Sequence, residues 1–202
     1  MRRFVYILLT ILTTVLNCSE VGGMPKRVQF SSGHTTDHIG SFVLRQGQLD
    51  KYLFDGGYVT FNGSTPQFHY YGKDHLGNNR TVVNENGTVE QVTHYYPFGG
   101  IYGDVTYNAS VQDFKYNGKE LDHTHGLDWY DYGARRYDAA MAMWNGMDPL
   151  AEKYYSISPY VYCGNNPVKF IDPDGKKIYI PKKYQNQVLL MINTYSKTQY
   201  TV

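Results

Sequence analysis

Between residues 41 and 125, apolar and polar positions alternate in short runs, and each run stops at a cluster of Gly, Asn, Asp or Pro. Such alternation predicts half-buried β-strands, because side chains leave a strand on opposite faces in turn. Tyr52-Leu53-Phe54 and Tyr58-Val59-Thr60-Phe61 flank Asp55-Gly56-Gly57, which predicts a hairpin. Asn62-Gly63-Ser64-Thr65-Pro66 predicts the next turn and leads into Phe68-His69-Tyr70-Tyr71, with a loop over 72–79. Arg80-Thr81-Val82-Val83 and the run 88–95 flank Asn84-Glu85-Asn86-Gly87, a second hairpin. Aromatic-turn phrases recur at a spacing of roughly twenty to twenty-five residues: Tyr70-Tyr71-Gly72-Lys73-Asp74, Tyr95-Tyr96-Pro97-Phe98-Gly99 and Tyr116-Asn117-Gly118-Lys119-Glu120. Gly57-Tyr58-Val59-Thr60-Phe61-Asn62 and Gly103-Asp104-Val105-Thr106-Tyr107-Asn108 echo each other as well. A lone hairpin is marginal in water, so these units are expected to stack on neighbours.

From Tyr130 to Gly175 the grammar tightens. Gly, Asn-Pro and Asp-Pro recur too often for an amphipathic helix, so short strands and tight turns are expected, with one brief helix. Asp148 fits the N-cap of that helix and Pro149 its first position. Beyond Gly175 the pattern changes again. Tyr184, Val188, Met191, Ile192 and Tyr195 are spaced for one face of a small C-terminal helix behind Pro181. The 27 residues of 176–202 are too few to bury a catalytic core of their own.

At the other end, Arg2 and Arg3 precede thirteen mainly apolar residues, Phe4 to Leu16. That run is short for a membrane span and suits an export leader over 1–18. Cys18 sits where a lipoprotein cysteine would, although Asn17 is a poor fit for the small residue before it. Met24 offers an alternative start. Residues 19–40 are polar and Gly-rich without periodicity, which reads as a flexible lead-in.

Composition sharpens this picture at one point. Twenty-one Tyr and 20 Gly argue for a β-rich, turn-rich chain, since Tyr suits half-buried strand positions where its hydroxyl finds a partner. A net charge of +1 gives no broad pull toward nucleic acid or acidic lipid. With Cys18 and Cys163 alone, no disulfide framework is expected, and Cys163 reads as a small packed residue.

Five ordered pieces carry a family resemblance: Gly126-Leu127-Asp128-Trp129-Tyr130-Asp131-Tyr132-Gly133-Ala134-Arg135-Arg136-Tyr137-Asp138, then Met147-Asp148-Pro149-Leu150, Pro159-Tyr160-Val161-Tyr162, Asn165-Asn166-Pro167 and Asp172-Pro173-Asp174-Gly175. Together they resemble the RHS repeat-associated core, which closes the YD-repeat shell of polymorphic toxins. Tyr70-Tyr71-Gly72-Lys73-Asp74-His75-Leu76-Gly77-Asn78 is similar to a YD repeat. The resemblance implies YD-like β repeats over 41–125, stacked in a curved sheet, and an RHS core with short helices over 126–175. It makes 176–202 the start of a variable C-terminal region, truncated here. The hairpins present are too few to enclose anything, so either a fragment of a larger gene or a piece docking onto other shell chains is expected.

The sharpest candidate chemistry also comes from the resemblance. In that family, core aspartates with an arginine are held to cut the chain after the last Asp-Pro-x-Gly element. Two carboxylates sharing a proton can activate water and protonate the leaving amine. By motif position Asp148 is the first acid, Arg135 or Arg136 the arginine, and Asp172 part of the element that marks the cut, at Gly175 and Lys176. Asp138 and Asp174 are nearby choices for a second acid. Lys176 departs from the Leu that many self-cutting members carry there. Read from local chemistry alone, Asp148 caps a helix and Asp172 shapes a turn.

Other motifs carry less. His123-Thr124-His125 after Asp122 lacks the three or four spaced ligands of a metal site, and Lys73-Asp74-His75 likewise. Gly99-Gly100 lacks a strand–loop–helix context for nucleotide. Asn-x-Ser/Thr triplets at Asn62, Asn79, Asn86 and Asn108 follow from an Asn-rich turn composition. No cofactor or metal is expected.

Pattern and leader predict a mainly β, exported chain, and the resemblance implies one that is secreted or on the surface of a bacterial envelope, serving as shell wall and plug of a toxin-delivery system. Its expected partners are other shell segments, through sheet edges, and a C-terminal effector with its immunity protein. The membrane is met only through the leader. A single-turnover aspartyl autoprotease and a carbohydrate-binding adhesion module are the two alternatives.

Overall fold

A computed structural model describes residues 26–29, 35–102, 112–123, 126–153, 155–180 and 185–186. The leader, Asn108 and most of the expected C-terminal helix lie outside them. The chain is mainly β, built of antiparallel sheets, and divides into two compact units, 1–66 and 67–202.

The first unit is a meander. Strands β1 (Lys26–Gln29), β2 (Thr35–Ile39), β3 (Phe42–Arg45), β4 (Gln48–Phe54) and β5 (Gly57–Asn62) pair antiparallel in chain order. The Asp55-Gly56 turn joins β4 to β5 as the sequence predicts, with Phe54 opposite Gly57 and Gly56 at φ +94°. Val43, Tyr58 and Val59 are buried here, and Phe42 packs on Tyr52 across the β3–β4 pair with ring centroids 5.0 Å apart. Lys51 is buried too, its Nζ 3.4 Å from the Asp50 carboxylate and 5.5 Å from the Tyr58 ring centroid. One expectation is corrected. The polar stretch 19–40 is not a bare lead-in, because β1 and β2 fall inside it. Strand β2 has a ladder partner on each side, and that pairing outweighs a sequence with little periodicity of its own.

In the second unit, β6 (Thr65–Lys73), which begins two residues before the division, pairs with β7 (Asn79–Asn84), and β7 with β8 (Val89–Val92). Asp74 shapes the β6–β7 loop: its Oδ1 accepts from the N–H groups of Leu76 (3.0 Å) and Asn78 (3.1 Å). Asn84 does the same in the next hairpin, accepting from Asn86 and Thr88. A two-stranded ribbon follows, β9 (His94–Tyr95) with β10 (Ile101–Tyr102). A four-stranded sheet closes the unit: β11 (Glu120–Asp122), β12 (Trp129–Asp131), β13 (Arg136–Asp138) and β14 (Met143–Trp144), in that order. The brief helix expected after Pro149 is a single 3-10 turn, Ala151–Lys153.

The core of this unit is aromatic. Tyr95, Tyr116, Tyr130, Tyr132, Tyr137, Trp144 and Tyr162 cluster with Leu121 and Cys163. Tyr137 stacks on Tyr162 at 3.9 Å, and Trp144 meets Tyr132 edge-on at 5.1 Å. A buried hydroxyl needs a partner, and the turn Tyr95-Tyr96-Pro97-Phe98-Gly99 supplies three. Its successive carbonyls accept from Tyr116 (Pro97, 2.9 Å), Tyr137 (Phe98, 2.7 Å) and Tyr130 (Gly99, 3.0 Å). Tyr132 and Tyr162 both donate to Asn117 Oδ1 at 2.7 Å. Asn117 is held in turn by Asn78, whose Oδ1 accepts its backbone N–H at 2.7 Å. Two of the aromatic-turn phrases therefore serve as acceptors for the core tyrosines.

Gly99 is the sharpest test of that arrangement. Its φ is +87°, and a Cβ there would stand 2.7 Å from a ring carbon of Tyr116. Gly99→Ala is expected to cost about 2–4 kcal/mol in urea denaturation, combining backbone strain with overpacking. Gly133→Ala, at φ +90° with nothing within 4 Å, isolates the backbone part and should cost only about 1 kcal/mol.

Candidate functional site

Arg135 enters the site from the loop between β12 and β13. Gly133 turns that loop at φ +90°, and its N–H donates to Asp131 Oδ1 at 2.7 Å. The guanidinium is buried and lies over Trp144 of β14, 4.2 Å from the ring centroid. Its Nη2 is 3.1 Å from Asp148 Oδ2 and 3.4 Å from Asp172 Oδ2. Its Nη1 donates to the Pro159 carbonyl at 3.2 Å, and its Nε to the Gly175 carbonyl at 2.6 Å. A buried guanidinium needs such a set of acceptors, because its donors cannot be dropped by deprotonation.

Each carboxylate also holds its own turn. Asp148 Oδ1 accepts from Leu150 N–H at 2.7 Å, and its backbone N–H donates to Pro159 at 3.0 Å. The expected N-cap is not met, because the 3-10 turn begins at Ala151; Asp148 instead shapes the turn before it and pairs with the arginine, with 17% of its side chain exposed. Asp172 is almost fully buried, at 1% exposure. Its Oδ1 accepts from the N–H groups of Gly175 (2.8 Å), Lys176 (3.1 Å) and Asp174 (3.3 Å). The turn is seated tightly: Gly175 sits at φ +71°, and a Cβ there would stand 3.0 Å from Arg135 N. Ile171 and Tyr179 close the turn from outside with a mutual pair of backbone hydrogen bonds, 2.6 and 3.3 Å.

Burial raises the Asp172 carboxyl above the usual carboxylate range, and Arg135 with the three turn N–H groups offsets only part of that. Burial likewise works against the charge on Arg135, while Asp148 and Asp172 support it. The arrangement puts a cationic donor on the Gly175 carbonyl, the Asp172 carboxyl within hydrogen-bond reach of the Lys176 N–H, and a partly open carboxylate on the same guanidinium. Carboxyl groups and a cationic donor of this kind are groups that acid–base and oxyanion chemistry draws on.

Of the residues singled out in the sequence, Arg135, Asp148, Asp172, Gly175 and Lys176 come together. Arg136 does not join them: its Nη1 donates to Asp122 at 3.0 Å and its Nη2 lies 3.6 Å from Asp131, on the sheet. Arg136 is the first residue of β13 and pairs on the sheet, whereas Arg135 precedes the strand in the loop, which separates the two arginines. Asp138 accepts from Trp129 Nε1 and from the N–H groups of Ala140 and Met141, and Asp174 from Lys176 and Lys177. Neither contacts Arg135 in that role. His123 pairs with Asp128, both side chains exposed.

Cys163 and the Pro159 carbonyl were not foreseen as neighbours of the site. Cys163 is fully buried, and burial pushes its thiol up to about 12, so it is a neutral packing group. The signal for Pro159 lay in the Pro159-Tyr160-Val161-Tyr162 phrase, which brings a carbonyl where a side chain would be sought.

Comparison with known proteins places the fold. No family model matches the chain. Over 104 residues it is 40% identical to salivary gland surface protein 1 of Aedes aegypti, which is 51% of this chain and 3% of that protein. The crystal structure of TcdB2-TccC3-TEV shares its fold with a TM-score of 0.58 at 23% identity, over 75% of this chain and 8% of that chain. The Tc holotoxin pore of Photorhabdus luminescens, carrying a TccC3 mutation, matches over the same shares with a TM-score of 0.56 and 23% identity. The chain therefore spans a small part of each relative's length, and it has the fold of a segment of a Tc toxin component.

The raised Asp172 carboxyl sets a pH dependence. A group that binds its proton more tightly folded than unfolded stabilises the fold at low pH. That stabilisation is complete below the ordinary carboxylate range and is lost as pH rises through the raised value. Asp172→Asn keeps the turn acceptor and removes the titration. Melting temperature of the wild type minus that of Asp172→Asn is expected to fall as pH rises across this window.

Proposed function

We propose that this chain is the closing segment of an RHS/YD-repeat shell, forming wall and plug in an exported toxin-delivery assembly. The observation that carries this reading is the fold shared with a Tc toxin segment over three quarters of the chain. In this reading 126–175 is the core that ends the shell, and 176 begins a variable region with its own effector and immunity partner. Its shell partners add at sheet edges. Strand β8 is such an edge, with a strand partner only in β7 among the described residues. The salivary surface relative and the toxin relatives are consistent with work outside the cell.

One observation favours a second activity on the same scaffold: Arg135 Nε grips the carbonyl of the bond that the resemblance marks for cutting. Asp148 takes a proton from water, and the hydroxide equivalent adds to the Gly175 carbonyl carbon. Arg135 holds the oxyanion. Asp172, in the molecules where it has taken up a proton, gives that proton to the Lys176 nitrogen as the C–N bond breaks. The products are a Gly175 carboxylate and a Lys176 amine, and the reaction happens once per chain.

Intact mass of the purified chain, beside Asp148→Asn, tests both readings. Self-cleavage predicts two fragments that part between Gly175 and Lys176 in the wild type and one uncut mass in the mutant. Its rate should fall as pH rises through the raised Asp172 value, since the acid is then lost. A single uncut mass in both leaves the scaffold role alone.

A further inference from the structure

The turn at Asp172 is held by more than Arg135. Three successive carbonyls each receive a donor from the body of the second unit. Gly175 takes Arg135 Nε at 2.6 Å, Asp174 takes Ala134 N–H at 3.3 Å, and Pro173 takes Lys119 Nζ at 2.6 Å. Arg135 and Ala134 come from the same loop as one another. Lys119 comes from elsewhere, the Tyr116-Asn117-Gly118-Lys119 phrase. Its ammonium lies 5.2 Å from the centroid of the Tyr132 ring, and the Tyr132 hydroxyl is fixed on Asn117, two residues before the lysine. The lysine is thereby held against a ring whose own orientation is set by the same 3-10 turn, Tyr116–Gly118. Both Asp172 and Asp174 support its charge against partial burial.

We propose that Lys119 is a positioning residue: it fixes the Pro173 carbonyl and so keeps the Gly175 carbonyl seated on Arg135. Its kinetic consequence rests on the self-cleavage reading, whereas its structural consequence does not. Without the Lys119 contact, Pro173 is tethered only through its neighbours, and a displacement of the order of 1 Å at Gly175 costs a reacting geometry about 10²-fold in rate. The hydrogen bonds from Lys176 and Lys177 to Asp172 and Asp174 loosen with it.

The test uses the whole chain as wild type, Lys119→Met and Lys119→Arg, read by intact mass over time and by amide hydrogen exchange. Lys119→Met keeps the stem on Tyr132 and removes the donor. Exchange at Lys176 and Lys177 is expected to quicken about tenfold or more, with β11–β14 unchanged, and Lys119→Arg to restore most of the protection. In a chain that cuts itself, cleavage of Lys119→Met slows about 10²-fold and Lys119→Arg recovers it. A wild type that never cuts overturns the self-cleavage reading, and exchange alone then decides on Lys119. Unchanged exchange at Lys176 and Lys177 in Lys119→Met, exchange raised equally throughout β11–β14, or an arginine variant indistinguishable from the methionine one overturns the proposal.

Discussion

The second unit depends on one constraint: a core built from tyrosine must find an acceptor for every hydroxyl it buries. A leucine core would leave the surrounding backbone free to vary, because packing has no direction. Phenolic hydroxyls impose direction, and an unpartnered one costs about 1–3 kcal/mol. Turn carbonyls are the acceptors best placed to serve, since no helix or strand uses them. The three carbonyls of Pro97, Phe98 and Gly99 and the side chain of Asn117 meet this demand for five of the core tyrosines from two turns, and Tyr95 donates to the Asn79 carbonyl at the start of β7. The turns are therefore part of the core, and their glycines follow from it.

Arg135 extends the same rule to a charge. Its guanidinium cannot be neutralised by losing a proton at ordinary pH, so the fold must surround it with acceptors and a π-face. Asp148, Asp172, two carbonyls and Trp144 do so. Three separate segments, 148–151, 159–162 and 171–176, converge because a single cation collects them. Removing one partner of a buried ion pair typically costs about 3–5 kcal/mol, so this cation organises the second half of the unit whether or not the site is reactive.

Much of this was legible in the chain. Alternation and turn chemistry placed the hairpins at Asp55-Gly56 and Asn84–Gly87, because both signals are local. The five ordered motifs pointed to Asp148, Asp172 and either Arg135 or Arg136. The choice between Arg135 and Arg136 was not legible, since it turns on where the loop ends and β13 begins, a boundary that falls between the two arginines. Strands β1 and β2 were missed because their stability is lent by ladder partners and hardly by their own pattern. Lys119 was quoted as part of an aromatic-turn phrase and given no role, because its acceptor lies 54 positions away and is a backbone atom with no signature in sequence.

The bond between Gly175 and Lys176 lies inside a loop whose ends, Ile171 and Tyr179, are hydrogen-bonded to each other. Covalent continuity and mechanical continuity are therefore separate properties at this point of the chain. A nick here converts a peptide tether into a clasp of hydrogen bonds, the Ile171–Tyr179 pair and those from Lys176 and Lys177 to Asp172 and Asp174, which yields to a pull long before a peptide bond would. Departure of whatever follows is then governed by how fast that clasp unzips, a matter of force and temperature, and no longer by the chemistry that made the nick.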